Sequence, residues 1–137
     1  MKHGAGFIII CPTKKTILLA LRNDVEPTWA NFGGTIEKCE SPLQAAKREV
    51  LEEAGFLEET HYNIISNRPI NVSQYNHFIY KCYLATSDIE YIPILNYEHY
   101  QYEWFKLDSL PENLHFGLKN ILSDQRVLKK ISTIFDF

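Results

Sequence analysis

A chain of 137 residues has room for one domain with a real hydrophobic core. Its mixture of 45% apolar and 23% charged residues is that of a soluble globular protein. The formal net charge of -3, with no basic block, argues against general nucleic-acid binding, and no apolar run approaches the length that spans a bilayer. Met1–Gly6 enters strand-like sequence without a cleavable-signal pattern. Cys11, Cys39 and Cys82 are odd in number and widely spaced, which suits neither a disulfide framework nor a zinc cluster. The expectation is one domain over residues 1–137 in a reducing cytoplasm.

In chain order, Ala5–Cys11 is a short continuous apolar run, predicted as a central strand buried on both faces. Pro12–Lys15 is short enough for a hairpin into a second strand, Thr16–Arg22. Arg22 closes that strand either as a solvated end or as a phosphate-facing cation. Trp29–Phe32 leads to Gly33-Gly34, a pair that allows positive φ or close backbone approach to a ligand. A helix follows, with Ser41 as N-cap, Pro42 at its first position, Gln44 completing a capping box and Gly55 as its stop. Leu43, Ala46, Val50 and Ala54 give it an apolar stripe. Beyond it, His61–Ser66 and Tyr75–Ala85 are predicted strands. In the second, Phe78, Tyr80, Cys82 and Leu84 face the core, while Tyr75, His77 and Lys81 face solvent or a pocket. Glu90–Tyr102 has no clean period and reads mostly as loop, and Trp104–Leu107 as a short strand. Apolar spacing within His115–Ile131 predicts further helix, with Ser123-Asp124 as a break.

The chemistry concentrates on the first helix. Glu49, Glu52 and Glu53 stand at i, i+3 and i+4 and share one face, adjacent to the apolar stripe. Acidic helix residues are usually just a solvated face. Here, however, the arc lacks the lysines at i+4 that balance a surface helix, Arg48 directly precedes it, and Glu40 follows Gly34 by six residues. Carboxylates crowded in this way suit a hard divalent cation such as Mg²⁺, which completes its shell with water and substrate phosphate.

The spacing G-x5-E-x7-R-E-U-x-E-E-x-G-U, where U is a hydrophobe, resembles the box of the Nudix family. Gly34, Glu40, Arg48, Glu49, Glu52, Glu53 and Gly55 match its seven fixed letters, and Val50 and Phe56 fill hydrophobic slots. A weaker resemblance lies downstream, where Glu98-His99, Tyr102 and Trp104 are similar to an E-H-x-x-Y-x-W pattern of several Nudix subfamilies. Phe32, Cys39 and Phe116 stand where other residues are common in the family, which leaves the carboxylates intact.

The resemblance implies an α/β (α+β) fold, an α/β/α sandwich with a mixed sheet and the box as loop–helix–loop. It implies hydrolysis of a nucleoside diphosphate linked to another group X by water attack at phosphorus. The substrate would be a nucleoside triphosphate, a dinucleoside polyphosphate or a nucleotide sugar. Mg²⁺, or Mn²⁺ in its place, would be held by Glu49, Glu52, Glu53 and Glu98, with Glu40 as an outer ligand and Arg48 orienting a box glutamate. Glu52, Glu53 and Glu98 are all candidates for the general base. Gly33 and Gly34 would shape the loop, Arg22 would meet phosphate, and Trp29, Tyr75, His77 and Tyr100 are candidates to stack on the base or on X. The alternative is a catalytically silent Nudix domain that binds a nucleotide or a partner. The expected partner is a nucleotide-derived small molecule rather than a membrane, with a homodimer as the default oligomer.

Overall fold

The computed structural model describes residues 1–136; Phe137, the last residue of the expected domain, lies outside them. Among the described residues the fold is mixed α+β, with an open mixed sheet and three helices. In chain order the elements are β1 (Lys2–Cys11), β2 (Thr16–Arg22), β3 (Trp29–Ala30), β4 (Phe32–Thr35), α1 (Pro42–Ala54), β5 (Asn63–Ile64), β6 (Asn71–Tyr75), β7 (Phe78–Thr86), β8 (His99–Lys106), α2 (Phe116–Leu122) and α3 (Gln125–Phe135). No helix among them is long and apolar enough to cross a membrane.

The continuous apolar run of β1 places that strand at the centre, and its alternation feeds two cores. Ala5, Phe7 and Ile9 point to one face, where they meet Ala45, Ala46, Val50 and Ala54 of α1. Ile8 and Ile10 point to the other, where Leu118 and Ile121 of α2 and Val127, Ile131 and Phe135 of α3 cover them. The sheet is thus sandwiched between helices. Cys11 and Cys82 are buried as small hydrophobes, Cys39 is exposed, and all three are free. Ser123 and Asp124 separate α2 from α3 as C-cap and N-cap.

The sheet forks. β1 pairs with β2 only at Ile10↔Ile17 and Cys11↔Thr16, then diverges. The gap is filled by one segment that changes partner: β3 pairs with β2 through Ala30 and Trp29, and β4 pairs with β1 through Phe32 to Thr35. Asn31 stands at the crossing point. On its other edge β1 runs parallel to β7.

Four details differ from the sequence reading. Gly33-Gly34 is strand, with neither residue at positive φ. These positions need glycine because neighbouring groups occupy the space of a side chain: a Cβ at Gly33 would overlap the Tyr80 hydroxyl and lie 2.7 Å from the Ala5 carbonyl oxygen. Tyr75–Ala85 is not one strand, because Asn76 takes a left-handed conformation (φ 51°) and turns the chain between the paired residues Tyr75 and Phe78. The strand expected over His61–Ser66 shrinks to Asn63–Ile64, because β6 already occupies the outer edge of β7 up to Cys82. Finally, β8 starts at His99, well inside the expected loop, and runs along all of β2. A bulge at Leu21/Arg22 disturbs the alternation that would have marked it.

Gly33→Ala should destabilise the protein by about 1–3 kcal/mol, the usual cost of overpacking. The measurement is the urea midpoint, expected to fall at constant slope. An unchanged midpoint would mean that Tyr80 and β1 can give way.

Candidate active site

The box helix sits as its caps dictate. The Ser41 side chain accepts from the Gln44 amide, the Gln44 side chain accepts from the Ser41 amide, and Gly55 ends the helix at φ 73°. With its apolar stripe on β1 and β4, the neighbouring face of α1 overlooks the Gly33-Gly34 edge.

Arg48 organises that face. Its Nε donates to Glu40 Oε2 at 2.7 Å and its Nη2 to Glu40 Oε1 at 3.1 Å, a two-point grip. Nη1 donates to Glu49 Oε1 at 2.9 Å and to Glu52 Oε1 at 3.2 Å, while Nη2 also reaches the Thr35 carbonyl at 3.0 Å. Glu37 approaches Nε at 3.3 Å. The guanidinium holds the Glu40 carboxyl below the usual range, and the surrounding carboxylates push Arg48 itself upward, so it is always charged.

A second group lies deeper. Glu53 is buried and accepts the Gly33 amide at 2.8 Å. Burial, followed by its hydrogen bond with Glu98, raises its pKa from the ordinary 4.5 to about 9. Glu49 is raised as well, by burial that outweighs the help of Arg48. Its carboxylate fills the space where a Cβ on Gly34 would stand, at 2.5–2.7 Å. Glu98 comes from the loop before β8. Its carbonyl accepts from the Asn23 amide at 2.8 Å, its amide donates to Asn96 Oδ1 at 3.0 Å, and the Asn23 side chain holds the Tyr97 carbonyl at 3.1 Å.

Carboxylate oxygens of Glu49, Glu53 and Glu98 all lie within 4.8 Å of one another. Acids this close also repel when ionised, which adds to the effect of burial and of the Glu98 hydrogen bond on Glu53: a proton stays where positive charge is wanted. The donor set is all oxygen, half-enclosed and anionic, which fits a hard divalent cation. Of the five residues expected at metal, the structure therefore brings three together. Glu40 is committed to Arg48. Glu52, half-exposed, points to Arg48 rather than into the cluster.

Two cavities meet at this point. The cluster lines a cleft of about 570 Å³, with Arg22, Asp24, Glu37, Arg48 and His99 around it. A smaller cavity of about 200 Å³ is walled by Tyr75, Phe78, Tyr80, His115 and Phe116. Arg22, Asn31, Gly33 and Gly34 belong to both. Of the substrate-facing candidates, Arg22, Gly33, Gly34 and Tyr75 line a cavity. Trp29 instead packs edge-on against Phe105 at 4.9 Å in the core below α2 and α3. His77 is at the β6–β7 turn, where its carbonyl accepts from the Lys2 amide, and Tyr100 is exposed on β8; neither lines these cavities. Phe78 and Tyr80, expected to face the core, also wall the smaller cavity. Asn31, His115 and Asp24 escaped the sequence reading as site residues, since lone residues of these types carry no signal. Phe116 had one, as a departure from the family pattern, and His99 another, beside Glu98.

Comparison with known proteins agrees with this geometry. The family model described as the NUDIX domain matches residues 1–125. The dihydroneopterin triphosphate diphosphatase of Haemophilus influenzae is 30% identical over 118 residues, covering 75% of this chain and 74% of that protein. A Bacillus subtilis protein, provisionally named as an 8-oxo-dGTP diphosphatase, is 44% identical over 56 residues; that match spans 41% of this chain and only 37% of the relative's length. In fold, the chain resembles a C. elegans Ap4A hydrolase in a binary complex, with a TM-score of 0.79 at 20% identity, covering 98% of this chain and 99% of the other. With the family model spanning most of its length, the chain belongs to the Nudix family and is a hydrolase acting on pyrophosphate bonds.

Proposed function

We propose that the protein is a Mg²⁺-dependent pyrophosphohydrolase of nucleoside triphosphates, releasing the nucleoside monophosphate and pyrophosphate. The observation that carries this reading is the pairing of the two cavities. A carboxylate cluster suited to a cation that binds phosphates adjoins an aromatic cavity whose volume, about 200 Å³, suits one base rather than two nucleosides. Two relatives named for triphosphate substrates support it.

Glu49, Glu53 and Glu98 are the residues that would hold Mg²⁺, or Mn²⁺ in its place. When bound, the cation neutralises phosphate charge and makes water more acidic. The protein's own groups supply the rest. Arg48 orients Glu49 through its 2.9 Å bond and keeps Glu40 and Glu52 occupied. Gly33 fixes one oxygen of Glu53 with its amide. Glu98 is the carboxylate without a cationic or amide partner among the described residues, and we assign it to take the proton of the attacking water. The Nε of Arg22 is held by Asp24 at 2.6 Å, which leaves its terminal nitrogens for the phosphate nearest the base.

A panel of nucleoside triphosphates, dinucleoside polyphosphates and nucleotide sugars with Mg²⁺, with products identified, tests the reading. The expected result is pyrophosphate from triphosphates. If no member releases a phosphate-containing product, the domain is a binding module. Glu53→Gln should lower turnover at least about 10²-fold while the protein stays folded, and full activity in that variant would remove Glu53 from the site.

The pH dependence follows from Glu53. Its folded pKa lies above its unfolded value, so the folded protein keeps a proton that the unfolded chain releases. Without divalent cation, stability should fall as pH rises from 4.5 to about 9. Glu53→Gln should flatten that slope and raise Tm at pH 8; each 1 kcal/mol is worth roughly 3–5 °C for a domain of this size. Mg²⁺ should raise the Tm of the unmodified protein, more at high pH because the cation displaces the proton. Thermal melts with and without the cation check both statements.

A further inference from the structure

The wall shared by the two cavities consists of Arg22, Asn31, Gly33 and Gly34. Arginine donates only, and glycine has no side chain, so the wall's one side-chain acceptor is Asn31 Oδ1. The other end of that amide is committed. Nδ2 donates to the Phe7 carbonyl at 3.2 Å, the Phe32 carbonyl at 3.3 Å and the Tyr80 hydroxyl at 3.2 Å. Two of these partners cannot donate, so turning the amide over would set oxygen against oxygen; the orientation is fixed. No donor among the described residues reaches Oδ1. Nor is it sealed off, for the buried side-chain atoms left without partners are the Tyr75 hydroxyl and His99 Nδ1. Oδ1 is therefore a fixed, accessible acceptor at the seam between the two cavities, held there by the fork of the sheet.

In a nucleotide the sugar lies between base and phosphates. A base in the aromatic cavity and phosphates over the carboxylates require the sugar to cross this wall. We infer that Asn31 Oδ1 accepts a hydrogen bond from a sugar hydroxyl of the bound nucleotide. Asn31 is then a specificity-determining residue that favours nucleotides bearing a free sugar hydroxyl at the seam. The inference rests on the nucleotide orientation of the proposed function.

The test is equilibrium binding of GTP and of its dideoxy analogue, which lacks both sugar hydroxyls, by calorimetry with Ca²⁺ in place of Mg²⁺ to suppress turnover. The analogue should bind about threefold to tenfold more weakly, the worth of one neutral hydrogen bond. The two singly deoxygenated forms then show which hydroxyl is read. In Asn31→Ala the two affinities should converge, with a melting curve to establish that the variant folds. Should it not fold, the comparison on the unmodified protein decides alone. Equal binding of GTP and the analogue overturns the inference while leaving the hydrolase reading intact, and so does a preference retained in a folded Asn31→Ala. Should GTP neither bind nor turn over, the same comparison is made with the triphosphate that the panel shows to be hydrolysed; if none binds or turns over, the nucleotide reading itself falls, and the inference with it.

Discussion

The guanidinium of Arg48 carries the constraint on which the rest of the site depends. Glu37, Glu40, Glu49 and Glu52 all fall within reach of it, and without a fixed cation their mutual repulsion would splay α1 from the loop before it. A lysine could neutralise one of them. It could not grip both oxygens of Glu40 while touching Glu49, Glu52 and the Thr35 carbonyl, because those contacts need a planar fork with five hydrogens. The division of labour follows. Arg48 holds Glu37, Glu40 and Glu52 outside the cluster and orients Glu49 at its edge, while Glu53 and Glu98 have no such cation, and their crowding is a charge problem of the kind a divalent cation would solve.

The second constraint is space. A nucleotide is long, and a closed sheet between helices would offer it no trough. The divergence of β1 from β2 opens one, and the change of partner between β3 and β4 lines it with backbone rather than with bulky side chains. Gly33 and Gly34 serve the site by what they lack. One leaves room for the Tyr80 hydroxyl at the base of the aromatic cavity, and the other for the Glu49 carboxylate. Acidic and aromatic cavities thus share a thin wall.

Much of this was legible in the residues. The caps of α1 could be read because each acts locally, through a side chain and an amide three residues apart. The position of β1 followed from an apolar run too continuous for a half-exposed strand. That Glu49 and Glu53 share a face followed from helical period alone. What could not be read depends on partners distant in sequence. Glu52 fits the same helical arc but stands at its outer end, about 100° from Glu53, exposed and bonded to Arg48 rather than turned into the cluster. Trp29 resembled a ligand platform until Phe105, brought alongside by β8 pairing with β2, claimed its ring. The turn at Asn76 hid in a run of strand-forming residues because one left-handed asparagine suffices to make it.

The loop that carries Glu98 is tied to the box helix at a point away from the site. The Ile94 amide donates to the Ala54 carbonyl at 2.8 Å, at the last turn of α1, one residue from Glu53. Two of the three clustered carboxylates thus hang from a common anchor. If that final turn frays, Glu53 and the segment leading to Glu98 lose a support they share, and Glu98 keeps its ties to Asn23 and Asn96. Glu53 and Glu98 are thereby coupled through one backbone hydrogen bond rather than placed wholly independently. A bound cation would staple the end of a helix to a loop, and the stiffness of the catalytic face becomes a property of the loaded site as much as of the chain.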